Sequence, residues 1–485
     1  MSNLSELLPT GGGQNAVDFV ASGTLSSGQT VVLKADGTVE AVAETPDSAG
    51  TPSVFESSNS YYIAATFDSA NNKVVMAYRD QGNSAYGTAV VGTVSGTNIS
   101  FGSPVVFESA NSQYVAATFD SDSNKVVIAY KDFGNSSYGT AVVGTVSGTA
   151  ISFGTAVVFE SANSSHIAAT FDSANNKVVI AYSDNGNSDY GTAIVGTVSG
   201  TSISFGTAVV FESAATQWLS TTYDSTNNKI VTAYQDGGNS NYGTAVVGTV
   251  SGTAISFGTA VVFESATVAY IATTYDSTAN KVVIVFRDDG NSDYGTAIVG
   301  TVSGTSISFG SAVVFNSASA TYNSATYDTV ANAVVISYRD GGNSNYGTAI
   351  AGVVSGTSIS FSSKVVFENA ASSYTSATYD SNSQKVVIAY RDDGNSDFGT
   401  GVVFSLSSTN LTSTNFIGIA SEAISSAATG SVNVYGGINE AQTGLTIGSD
   451  YYVQADGTIT TTSTSPAVKV GQAISATTIN MMDLT

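Results

Sequence analysis

The chain has 485 residues, a formal net charge of −23 with only 14 basic residues, no Cys and a single His. These counts exclude a disulfide framework and thiolate chemistry, and leave too little imidazole for a repeated metal or Ser-His-Asp constellation. So acidic a chain is repelled by phosphate backbones, which argues against nucleic-acid binding.

The N-terminal stretch MSNLSELLPTGGGQNAVDF has neither the basic nor the apolar region of a secretory leader. No run is long and apolar enough to span a membrane, so membrane insertion is not expected. Residues 1–52 predict short strands. TVVLKADGTVEAVA (30–43) places ADGT between alternating apolar residues, a hairpin signal. This piece is too small for a good core on its own.

From residue 53 to 404 the sequence repeats. The Asn of a GNS triplet recurs as Asn83, Asn135, Asn187, Asn239, Asn291, Asn343 and Asn395, seven copies at a constant spacing of 52. Each copy predicts four strands. In the second copy they are YVAATFD (114–120), KVVIAYKD (125–132), YGTAVVGTV (138–146) and ISFGTAVVFES (151–161). Gly, Asn, Ser and Asp clusters between them form tight turns, and segments such as ESANSQ (108–113) carry the chain from copy to copy. Four antiparallel strands repeated seven times predict an all-β fold, a seven-bladed β-propeller. The fragment SVFES (53–57) is equivalent to a fourth strand, and the last copy leaves the pattern after GTGVVF (399–404). The fragment is therefore expected to supply the missing outer strand of the last blade and close the ring.

Residues 405–485 again predict short strands, with a second ADGT hairpin in YYVQADGTITTT (451–462). Closure brings both flanks together, so 1–52 and 405–485 are expected to form one small discontinuous β domain into which the propeller is inserted.

Three repeat positions carry candidate chemistry. The first reads Tyr62, Tyr114, His166, Trp218, Tyr270, Tyr322 and Tyr374, and contains the only Trp and the only His. It opens the first strand of each copy. Such aromatics either pack between blades or form a stacking platform for sugars or other ligands at the mouth of the central channel. The second holds every arginine of the chain, Arg79, Arg287, Arg339 and Arg391, and elsewhere Lys131, Ser183 and Gln235. The third reads Asp80, Asp132, Asp184, Asp236, Asp288, Asp340 and Asp392, just ahead of the Gly-Asn-Ser turn. It reads either as an Asx turn or as part of a calcium site. The Asp68, Asp80 and Glu56 series supply seven, seven and six of the 37 acidic residues, a solvated frame more than a site. No cofactor and no metal are expected. With strands running up and down, the aromatics, the arginines and the DxGNS loops share one face, and the split domain attaches at the opposite one.

The flanks (GTLSSGQTVVLKADGTVEAV, NFIGIASEAISSAATGSVNVYG and GLTIGSDYYVQADGTITT) resemble modules of tailed-bacteriophage structural proteins, both fibre and capsid-surface ones. The phrase NKVVIAY.D.GNS.YGTA.VGTVSGTSISFG resembles repeats in virion proteins of marine phages, especially those infecting cyanobacteria. The resemblance implies a virion surface component assembled in the host cytoplasm, partnered by other virion proteins, and a homotrimer by likeness to fibres. RDDGNSDYG (287–295) also resembles the Asp-box of sialidase propellers, a turn-forming element; the arginine cluster of a sialidase site has no counterpart here. The leading expectation is a non-enzymatic fibre or adhesin contacting host surface polysaccharide through the aromatic series and the nearby arginines. A capsid decoration or structural fibre protein without specific ligand, or a glycan depolymerase, are the alternatives.

Overall fold

The structure, a computed structural model, describes residues 15–464 and 466–481. The reading of residues 1–14 as free of a leader lies outside the described residues. The fold is all-β apart from single 3-10 turns, and divides into two units. One spans Asp47–Leu406; the other combines the residues up to Pro46 with those from Ser407 onward.

In the larger unit each copy is built on one long strand. The seven are Ser53–Asp68, Val105–Asp120, Val157–Asp172, Val209–Asp224, Val261–Asp276, Val313–Asp328 and Val365–Asp380. The N-terminal half of Val105–Asp120 pairs with the preceding copy (Val105↔Ala89). Its C-terminal half pairs with its own second strand, Lys125–Asp132 (Ala117↔Ile128). One strand thus serves two sheets.

The second strand is apolar on both faces because both are covered. Val126, Ile128 and Tyr130 pack with Val75, Ala77 and Val91 of the first copy. Val127 and Ala129 pack with Val178, Ile180 and Tyr182 of the third. Burying each such aliphatic side chain stabilises by about 1.5–3 kcal/mol, and no copy can do this alone.

The pairing closes on itself. Phe398–Ser405, the third strand of the last copy, pairs with Ser53–Asp68 through Thr400↔Val54 and Gly401↔Ser53. Ser48–Ala49 adds Phe404↔Ala49, where the other copies place their short fourth strand. Val74, Met76 and Tyr78 of the first copy pack with Val387, Ala389 and Val403 of the last. The result is a propeller-like closed ring of β-sheets.

Two local expectations are corrected. The segment 151–161 is not one strand. It breaks after Phe153, and Val157 begins the long strand. At the break Gly154 donates to Val143 O over 2.9 Å, and a Cβ there would lie 1.9 Å from Thr201 O of the next copy. Conversely, the crossing segment ESANSQ is not separate from the strands: it lies within Val105–Asp120, with register shifts along it.

The smaller unit holds two five-stranded sheets. One interleaves both chain ends, with Ala16↔Asn433 and Val31↔Gly418. Both ADGT segments form hairpins (Leu33↔Val39; Val453↔Ile459). In each, the Asp side chain accepts from the Thr two residues on, Asp36 from Thr38 N at 3.0 Å and Asp456 from Thr458 N at 2.9 Å.

Candidate functional site

The aromatic series lies mid-strand in the seven long strands, at a register shift against the second strand, as between Gln113 and Ala116. All seven residues adopt left-handed backbone, with φ between 48° and 54°. For a bulky side chain this is a genuine outlier, costing roughly 1–3 kcal/mol per residue. The Asn72 series has nearly the same φ and is filled by Asn in six copies and Gln384 in the seventh. Asn tolerates the left-handed region well, and its side chain also bonds there in several copies, as where Thr226 Oγ1 donates to Asn280 Oδ1 at 2.6 Å. At the Tyr62 series the side chain is kept despite its backbone cost.

The seven rings make an unbroken circle. Neighbouring centroids lie 4.2 Å apart for Trp218–Tyr270 and 5.6 Å for His166–Trp218, and the Tyr374–Tyr62 contact at 5.5 Å closes it. Interplanar angles range from 40° to 58°, scattering about one seventh of a turn. Rings related by such steps show that angle when their planes stand parallel to the axis. At this spacing each face is turned toward a neighbouring ring. The seven rings thus form a collar in which each packs against both of its neighbours.

The collar surrounds a cavity of about 530 Å³. The residue following each aromatic also lines the cavity, aliphatic from Ile63 round to Ile271 and polar at Asn323 and Thr375. Asn323 Nδ2 donates to Tyr270 O over 3.0 Å, while its Oδ1 is buried without a partner. Thr375 Oγ1 donates to Tyr322 O. All seven aromatics are half-buried. Burial raises the phenol pKa of Tyr62, Tyr114, Tyr270 and Tyr374, so these hydroxyls stay neutral donors. Burial also lowers His166, to about 4, so its ring is neutral near pH 7. Nδ1 of His166 accepts from Trp218 N at 3.2 Å.

The arginines sit against this collar, but mostly engaged. Arg287 binds Asp289 through Nε (2.7 Å) and Nη2 (3.0 Å) and lies 5.3 Å from the Tyr270 centroid. Arg391 binds Asp393 (2.7 Å) and lies over Tyr61 and Tyr374 at 4.8 and 5.3 Å. Arg339 reaches Asp393 at 3.8 Å. Arg79 stacks on Tyr61 at 5.2 Å and donates to Gln81 at 2.6 Å. Carboxylates of their own loops thus pair with Arg287 and Arg391. Sequence reasoning missed Tyr61, an aromatic found at its repeat position in this copy alone, and the RDD runs at 287–289 and 391–393 that signalled the ion pairs.

The Asp80 series makes Asx turns. Asp80 accepts from Asn83 N at 3.1 Å, Asp184 from Gly186 N and Asn187 N at 3.0 and 3.2 Å, and Asp392 from Gly394 N and Asn395 N at 3.1 Å each. The Asp68 series does the same in the opposite turn, Asp68 accepting from Ala70 N and Asn71 N at 3.0 Å.

No protein-family profile and no curated protein matches the chain. Solved structures do. The BP39L lectin from Burkholderia pseudomallei is similar over 74% of this chain and 99% of its own, with TM-score 0.53 and 12% identity. The SapL1 lectin, solved with alpha methyl fucoside, is similar over 65% of this chain and 97% of its own, with TM-score 0.42 and 13% identity. Leech intramolecular trans-sialidase is similar over 73% of this chain and 69% of its own, with TM-score 0.44 and 9% identity. The first likeness supports the propeller-like fold.

Proposed function

We propose that the chain is a seven-bladed β-propeller, inserted in a small discontinuous β domain, that binds glycan without catalysis at its aromatic collar. The observation that carries this is the retention of seven bulky aromatics at a backbone conformation that Asn or Gly would adopt at lower cost. They surround a cavity of about 530 Å³, the size of a small-molecule site. Neutral phenols and amides around apolar walls suit a saccharide, which offers hydroxyls and C–H edges. The likeness to a lectin agrees with this reading without carrying it. Binding is the reading rather than hydrolysis because the cavity is lined by aromatic, aliphatic, amide and hydroxyl groups and one neutral imidazole.

The setting we propose is the surface of a tailed-phage particle, where the chain acts as a fibre or adhesin on host envelope polysaccharide. Its support is the residue-level resemblance of the repeat phrases and flanks. Weak sites would gain strength there from many copies. The test is a glycan array probed with the purified chain and with Trp218→Ala and Tyr114→Ala. Retention of saccharides by the parent and loss by both variants is expected; equal retention by all three overturns the reading. Electron cryomicroscopy of the carrying particle tests the setting, and a collar buried against capsid or tail overturns the adhesin role.

A further inference from the structure

One part of the rim differs from the rest in its charges. In the fifth and seventh copies the cation of the Arg79 series is neutralised in place. Asp289 and Asp293 face Arg287 at 2.7 and 3.8 Å, and Asp393 and Asp397 face Arg391 at 2.7 and 3.7 Å. The first two copies carry cations without these acids. Gln81 and Phe133 stand where Asp289 and Asp393 do, and Ala85 and Ser137 where Asp293 and Asp397 do.

The consequence is visible in the contacts. Lys131 is only 9% exposed, yet its ammonium makes no ion pair and no hydrogen bond to any described residue. Its ammonium lies 4.8 Å from the Phe133 centroid and 5.9 Å from that of Tyr114, a collar residue. Asp189, on the neighbouring copy, forms no ion pair with it. Arg79 leaves its Nε buried and unpartnered. In a chain of net charge −23, two adjacent copies thus hold half-sequestered cations without an ion-pair partner among the described residues. Burying a charge unpaired is costly, and Lys131 is indeed held below its ordinary pKa by desolvation. An anion arriving here would recover that cost.

We infer that Arg79 and Lys131 form an anion subsite at the rim of the collar, and that the saccharide bound there carries a carboxylate or sulfate group. This rests on the glycan-binding reading. The sugar body lies in the collar; its oxyanion lies against the first two copies, whose cations form no ion pair among the described residues. Tyr61 and Phe133 flank the two cations.

Calorimetry on the full chain tests this with three probes of matched length: a neutral galactan oligosaccharide, an oligogalacturonate and a sulfated galactan oligosaccharide. The expected result is that at least one acidic probe binds about tenfold or more tighter than the neutral one, with added salt weakening it. The two acidic arms separate a carboxylate from a sulfate ligand. Lys131→Met keeps the aliphatic stem and Arg79→Gln keeps a donor. Each should abolish the acidic preference while leaving neutral binding in place, and Arg287→Gln should leave the preference intact. Neutral and acidic probes binding alike, or a preference indifferent to Lys131→Met, overturns the subsite alone. Absence of binding to all three probes overturns the glycan reading and the subsite with it.

Discussion

The backbone N–H of Trp218 donates to Nδ1 of His166 across 3.2 Å, joining two copies at the collar. That bond needs the neutral imidazole with its proton on Nε2, and burial already pushes the ring down to about 4. Above the ordinary value of 6.5 both folded and unfolded chains hold a neutral ring, and the full stability is present. Between 6.5 and about 4 the unfolded chain takes up a proton that the folded one refuses, so stability falls as pH falls. His166→Tyr restores the residue found in five other copies and removes the titration. Thermal unfolding of the parent should drop relative to this variant between pH 6.5 and 4. Glu56, Glu108, Glu212 and Glu264 are raised by burial and act in the opposite sense, but equally in both proteins. Parallel profiles would overturn the assignment.

A second prediction uses one substitution at two equivalent positions. Tyr130, fully buried, donates its hydroxyl to Glu108 at 3.0 Å, and Tyr78, Tyr182, Tyr234 and Tyr390 donate likewise to Glu56, Glu160, Glu212 and Glu368. In the sixth copy Asn316 replaces the Glu and turns to Asp340, leaving the Tyr338 hydroxyl buried and unsatisfied. Tyr130→Phe should cost about 1 kcal/mol in chemical denaturation, while Tyr338→Phe should be neutral or stabilising. Equal costs would show that the carboxylate contributes nothing.

Much of this was legible in the residues, for reasons that differ by element. The period, the turns and the closing fragment SVFES follow from repetition, since any copy shows what another lacks. The break at Gly154 was not legible, because ISFGTAVVFES keeps its apolar pattern through it and only the approach of Thr201 enforces it. The left-handed backbone at Tyr114 was hidden for a similar reason. It arises from a register shift between two strands, a property of the pair and not of either segment. The aromatic series could be picked out by its variation, but the packing of its rings depends on closure of the ring of sheets.

The Asx turns give a third prediction. Asp392 Oδ1 accepts from Gly394 N and Asn395 N, so its bonding capacity toward the loop is a side-chain oxygen, not a charge. Asp392→Asn retains that oxygen and should change the melting temperature little. Asp392→Ala removes it and should cost about 1 kcal/mol. Chelation with EDTA should leave the parent's melting curve in place, since backbone N–H groups already satisfy the carboxylate. A chelator-dependent loss of stability, or equal effects of Asn and Ala, would favour a cation at these loops.

The only Trp of the chain stands in the collar, which makes its emission a direct report on the site. Trp218 touches Tyr270 at 4.2 Å, the shortest ring contact of the circle, and His166 at 5.6 Å. A saccharide entering the cavity displaces water from the indole edge, so emission should shift with a titration midpoint equal to the calorimetric Kd. Trp218→Tyr restores the residue of five other copies and should keep the fold and, within about threefold, the affinity while deleting the signal. Trp218→Ala opens the circle on both sides and should weaken binding by about tenfold or more. Binding seen by calorimetry with no change in emission would place the ligand away from the collar. Loss of affinity in Trp218→Tyr equal to that in Trp218→Ala would instead make the indole itself, not the completed circle, the feature that the ligand reads.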